Sequence, residues 1–116
     1  MQGKRVVRVG HLIQMELSQL ILKKVKDPRL GFVTVTHVDI APDMKSAIVF
    51  YSVMGDDKVR KDSKIALERA AGFLQKEISV TLKLRYTPKL HFRFDDSLDQ
   101  GFEIDRLIRK INQEEA

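Results

Sequence analysis

The chain has 116 residues, 43% of them hydrophobic, and carries 21 Lys and Arg against 16 Asp and Glu, a net charge of +5. That length and composition suit one domain with one modest core. They exclude a disulfide framework and a thiolate zinc site, because there is no cysteine. No apolar run approaches the length of a membrane span.

The first predicted element is a helix over residues 5–26. Val6, Val9, Ile13, Leu17 and Leu20 form its apolar stripe, with Lys4, Arg8 and Lys26 opposite. Met15 and Leu22 fall on that opposite face too, as partly exposed residues. Pro28 is expected to end the helix, because its ring excludes the α conformation at Asp27. Residues 32–40, FVTVTHVDI, are dense in β-branched side chains and predict a strand. Ala41-Pro42-Asp43 is a turn signal, and residues 45–54, KSAIVFYSVM, predict a second strand, antiparallel to the first across so short a connection. Both strands place apolar residues on alternate faces, which predicts a sheet partly covered on each side.

Gly55-Asp56-Asp57 predicts a loop that sets acidic groups at the start of the next helix, where the dipole favours them. That helix is predicted over residues 58–85. Leu67, Ala70, Ala71, Leu74 and Ile78 repeat at helical spacing, while Lys58, Lys61, Arg69, Gly72 and Lys76 fall within roughly 80° of one another on the far side. A glycine inside a helix costs about 1 kcal/mol relative to alanine. Ala70-Ala71-Gly72 therefore predicts a kink, or a short break between two helices, flanked by cations. An ordinary amphipathic helix with a solvated basic face is the alternative.

Leu90, Phe92 and Phe94 alternate with Lys89, His91, Arg93 and Asp95, a half-buried third strand. From Lys83 to Arg93 there are four basic residues and no acidic one. Asp95-Asp96-Ser97 leads into a loop, and residues 101–112 predict a terminal helix through Ile104, Leu107, Ile108 and Ile111. The order is helix, strand, strand, kinked helix pair, strand. A helical crossover between the second and third strands suits a three-stranded mixed sheet with helices on one face. That is α+β, a single domain over residues 1–112 with a short acidic tail at 113–116, and its order matches the type II arrangement of the KH fold.

Charge is unevenly spread: residues 1–94 hold 18 basic and 9 acidic side chains, and residues 95–116 hold 3 and 7. A basic body points to a polyanionic partner. The start of the chain lacks the apolar core and cleavage pattern of a secretory signal.

Residues 25–57, VKDPRLGFVTVTHVDIAPDMKSAIVFYSVMGDD, resemble the signature region of bacterial ribosome-binding factor A. So do RVGHLIQMEL at 8–17, RAAGFLQKEI at 69–78 and LRYTPKLHFRFDDS at 84–97. The resemblance covers nearly the whole chain in order. It implies a type II KH-like fold in which an Ala-x-Gly kink, here Ala70, Ala71 and Gly72, replaces the glycine-rich loop between paired helices. It further implies binding to the free small (30S) ribosomal subunit through its 16S rRNA, assistance with late maturation and rRNA processing, support of growth in the cold, and no enzymatic activity or cofactor. A monomer is expected, and the resemblance, together with the lack of a secretory signal, gives the expectation of a cytoplasmic location.

Phosphate neutralisation by Lys and Arg is how such a partner would be held. The candidate contacts are Lys58, Lys61, Arg69, Ala70, Ala71, Gly72 and Lys76 around the kink. Lys4, Arg5 and Arg8 on the first helix and Lys83, Arg85 and Lys89 after the second form a further tier. Phe73 and Tyr86 are the only aromatics in the most basic region outside the alternating strand, so base stacking is a minor expectation.

Three rival readings stand beside this one. Asp95, Asp96 and Asp99 with His91 could hold a divalent ion in an enzyme, although acidic residues after a strand are usually turn and cap residues. The scattered His11, His37 and His91 lack metal-ligand spacing. A protein-interaction module could use the sheet edge or the Met15/Leu22 face. A KH-like module could also bind a different RNA.

Overall fold

The computed structural model describes residues 4–96. Five elements follow in order: α1 (Lys4–Lys24), β1 (Val33–Ile40), β2 (Ser46–Val53), α2 (Asp57–Leu82) and β3 (Lys89–Phe94). The sheet order is β1-β2-β3, with β1 antiparallel and β3 parallel to the central β2. This is the expected α+β arrangement with a mixed sheet. The expected terminal helix at 101–112 and the tail at 113–116 lie outside the described residues.

α1 stops at Lys24, before the expected Pro28 boundary. The Asp27 carboxylate accepts the Arg29 N–H at 3.0 Å, and Leu30 N–H donates to Asp27 O at 2.9 Å. This side-chain-anchored turn competes with helix for residues 27–30. Ile13, Leu17, Leu20 and Ile21 of α1 are buried against Val35, Val38 and Ile40. The helix lies close to β1: a Cβ on Gly10 would stand 3.1 Å from Val38 O.

The apolar residues of β1 do not divide between two faces. The register shifts between Val35 and His37, so a bulge at Thr36 reverses the alternation and Val35, Val38 and Ile40 all face the helices. The carbonyls of Val35 and Thr36 accept from Gln14 Nε2, both at 3.3 Å, and the Thr36 hydroxyl reaches Asp95 Oδ2 at 2.6 Å. In β2, Ala47, Val49, Tyr51 and Val53 are buried, while Ile48 and Phe50 are half-buried on the other face.

α2 is one helix of 26 residues. Of the readings open at Gly72, the short break between two helices is absent, and the residues on either side belong to one hydrogen-bonded helix. Ala66, Leu67, Leu74 and Ile78 are buried on both sides of the glycine, and that packing outweighs the roughly 1 kcal/mol propensity penalty. Asp56 caps the helix, accepting Val59 N–H at 3.0 Å. At the other end Lys83 is left-handed (φ 52, ψ 44), and the N–H groups of Lys83 and Leu84 both reach Ser79 O.

Candidate nucleic-acid interface

Every candidate cation is exposed: Lys4, Arg5, Arg8, Lys58, Lys61, Arg69, Lys76, Lys83, Arg85 and Lys89. None of them makes an ion pair among the described residues, where the pairs are Lys24–Glu77 and Arg29–Asp27. The structure does not gather them into one patch. Instead it distributes them over four surfaces, one along α2 alone and three that join segments distant in sequence.

The outer stripe of α2 carries Lys58, Lys61, Gly72 and Lys76. Lys58 and Lys76 are about 27 Å apart along a helix rising 1.5 Å per residue. Gly72 is exposed, and a Cβ built on it would meet nothing within 4 Å.

Arg69 and Ala70 turn towards the end of α1. They border a shallow cleft with Lys24, Lys26, Asp27 and the exposed Phe73. Lys24 reaches Glu77 at only 3.5 Å, with both side chains partly exposed, an interaction worth little in water. The Asp27 carboxyl is held below its ordinary range, chiefly by its hydrogen bonds from Arg29. Lys24 and Lys26 are therefore additions to the Arg69 surface. Periodicity places Lys26 on the polar side of α1, but cannot say that this side ends beside Arg69.

Ala71 faces a groove of about 690 Å³ between α2 and β3. Lys64, Glu68 and Gln75 lie along its helical wall, and Lys89, His91 and Arg93 along its strand wall. Gln75 Oε1 accepts the Leu90 N–H at 2.9 Å, which ties the edge strand to the helix. Lys89 thus parts from Lys83 and Arg85, with which the sequence grouped it. Pro88 is fully buried between them, and Lys89 N–H donates to Lys45 O at 2.9 Å, opening the parallel ladder. From there the pleat sets Lys89 on the side of His91 and Arg93.

The fourth surface unites Arg5 of α1 with Lys83 and Arg85 beyond α2. Lys4 and Arg8 lie alongside, around a hollow that includes Val7, His11 and Leu12.

Asp95, the centre of the metal alternative, is engaged by the Thr36 hydroxyl and sends its own N–H to Tyr51 O at 2.6 Å. It serves the end of β3, and Asp99 lies outside the described residues. Among the described residues no group of three or more His, Asp or Glu is placed to hold a metal ion. None of their helices is long and apolar enough to cross a membrane.

With this geometry in view, the relatives are informative. The sequence model of the ribosome-binding factor A family matches residues 5–108. Ribosome-binding factor A of Halothermothrix orenii is 45% identical over 115 residues, covering 99% of this chain and 94% of that one. The Desulfitobacterium hafniense protein of the same name is also 45% identical over 115 residues, covering 99% and 92%. Among solved structures, crystalline ribosome-binding factor A from Thermus thermophilus superposes with a TM-score of 0.67 at 23% identity, over 76% of this chain and 93% of that one. A Thermus thermophilus ribosome binding factor A homology model, fitted into a cryo-EM map of a 30S complex, gives a TM-score of 0.67 at 22% identity, over 78% and 96%. These two likenesses bear on the fold, which is KH-like, whereas the near-full-length identity bears on descent. The chain belongs to the ribosome-binding factor A family.

Proposed function

We propose that this protein is an assembly factor that binds the free small (30S) ribosomal subunit through its 16S rRNA. It acts late in assembly, assists rRNA processing, supports growth in the cold, works in the cytoplasm as a monomer and catalyses no covalent step. The observation that carries this reading is the set of exposed cations on α1, α2 and the segment after α2, none of them paired with a carboxylate among the described residues. A phosphate backbone is the ligand that such dispersed, unpaired charge recognises. Membership of a ribosome-binding family supports a ribosomal partner, and the Thermus relative fitted into a 30S complex supports the small subunit.

The test is co-sedimentation with free small subunits, large subunits and whole ribosomes over a range of salt. Association with free small subunits alone is expected. A binder that makes six to ten phosphate contacts loses roughly 10³–10⁵-fold in affinity between 50 and 200 mM salt. Equal binding to all three particles, or none at low salt, would overturn the proposal.

A protein contact is a second reading, favoured by one corner of the molecule. Leu22 and Phe32 are 71% and 65% exposed and border a cleft between the end of α1 and the start of β1. Association through that corner would tolerate salt, so the same titration separates the two readings.

A further inference from the structure

The surface that unites Arg5, Lys83 and Arg85 is concave. It is a cleft of about 540 Å³ walled by the first half of α1, the β1–β2 turn and the chain after α2. Its floor is apolar: Val9, Met44 and Leu84 line it while packing from outside against the core. Tyr86 stands at the rim, 65% exposed, with the Arg85 guanidinium 5.5 Å from its ring centre. The cations at the mouth are Arg5, Lys83 and Arg85. One carboxylate, Asp43, also lines the cleft, but its Oδ1 accepts the Lys45 N–H at 3.0 Å within the turn.

Backbone geometry gives a second, independent sign. Among the described residues two non-glycine residues have positive φ, Met44 at 60° and Lys83 at 52°. Both line this cleft. Such conformations disfavour a side chain with a Cβ and persist where the surrounding structure enforces them, often at ligand sites. Here the Met44 N–H is held by Ala41 O at 2.8 Å, and Lys83 is held by the hydrogen bonds that close α2. The two residues turn the chain so that a thioether reaches the floor and a cation the mouth.

An apolar floor, one exposed aromatic edge and a cationic mouth fit a nucleobase whose flanking phosphates stay outside. Base-paired RNA offers no such group, because its bases are stacked. We infer that this cleft takes one unpaired nucleotide of the bound RNA, with its base over Met44 and against Tyr86 and its phosphates at Arg5, Lys83 and Arg85. This inference rests on the proposed RNA-binding function and gives it a definite element, an unstacked base. Tyr86 has a larger role here than the basic stretch of sequence around it suggests.

The probes are an adenosine hexaribonucleotide and an abasic backbone with the same number of phosphates, titrated into isotope-labelled full-length protein. Binding of the hexanucleotide should move the Tyr86 ring and Met44 methyl resonances upfield by stacking. The abasic strand should bind more weakly and leave both in place. Tyr86→Ala should weaken the hexanucleotide roughly five- to hundred-fold, the range expected for losing one stacked base, and should leave the abasic strand unaffected. Tyr86→Phe should retain the affinity. If the two strands bind equally, or the Tyr86 and Met44 signals stay still, the cleft holds no base. In that event, salt-sensitive co-sedimentation with small subunits would leave the RNA-binding function standing. Failure of co-sedimentation would instead strike that function, whichever way the hexanucleotide behaves.

Discussion

Gly31 and Gly72 sit in opposite circumstances. A Cβ on Gly31 would stand 2.8 Å from Val59 Cγ1 and 3.0 Å from Val53 Cγ2. The Gly31 N–H also donates to Ser63 Oγ, the one buried polar side chain among the described residues, at 2.9 Å. At this corner the start of α2 closes on the segment entering β1, and only a residue without a side chain fits. A Cβ on Gly72 would meet nothing, and the helix continues through it. The packing of the domain explains the first glycine and gives no account of the second. If the proposed RNA interface is right, Gly72 is where a ligand comes close to the helix backbone.

Four experiments press on this contrast. The largest effect should come from Gly31→Ala, which forces Val59 and Val53 apart and should destabilise the domain by about 2 kcal/mol in urea unfolding. Adding Val59→Ala should recover part of that loss, and independent losses would mean the corner is looser than the distances imply. Next is Arg69→Glu, which should weaken small-subunit co-sedimentation by about tenfold, since it would replace a proposed phosphate contact with repulsion. Its unfolding midpoint should fall only slightly, because Arg69 is exposed and its charge is the last and weakest of the influences that favour the Asp27 carboxylate. Gly72→Ala should then raise stability by about 1 kcal/mol while lowering small-subunit affinity. If stability and affinity rise together, no ligand needs that backbone, and the contrast with Gly31 disappears.

The smallest effect concerns acid. The Asp27 carboxyl is held below its ordinary value, near 3.9, by hydrogen bonds from Arg29. The stabilisation is therefore present above that value and fades as pH falls through the lowered one. Asp27→Asn should lower stability slightly at neutrality, flatten the profile below about pH 4 and converge with the parent chain in acid.

Much of the fold is legible in the chain because its periodicities are local. The stripe of α1, the two β-branched runs and the alternation of Leu90, Phe92 and Phe94 each appear within a few residues, and each element forms where they predict. Errors arise where a distant group decides. Kink, break and continuous helix all stay open at Gly72 in the sequence, and core contacts on both sides decide against the break. The parity change in β1, with Val35 odd-numbered and Val38 and Ile40 even-numbered, reads as a two-faced strand until the bulge at Thr36 and its partner Gln14 are seen. α1 ends early because the Val25 N–H closes back on Leu20 O at 3.2 Å, and Asp27 and Arg29 then organise their own turn.

The cations are legible as a set, and their grouping is not. Sequence alone determined an α+β domain with helices on one face of a mixed sheet, an exposed basic surface and the family. These follow from side-chain period, net charge and resemblance, which need no knowledge of neighbours. Only the tertiary structure decided that Lys24 and Lys26 join Arg69, that Lys89, His91 and Arg93 stand across a groove from Lys64 and Gln75, and that Arg5 meets Arg85 across a cleft floored by Met44. Period gives a side chain its face but not what stands opposite. That is set by how the helices cross the sheet, and by the turns at Met44, Lys83 and Pro88 that carry the chain between them.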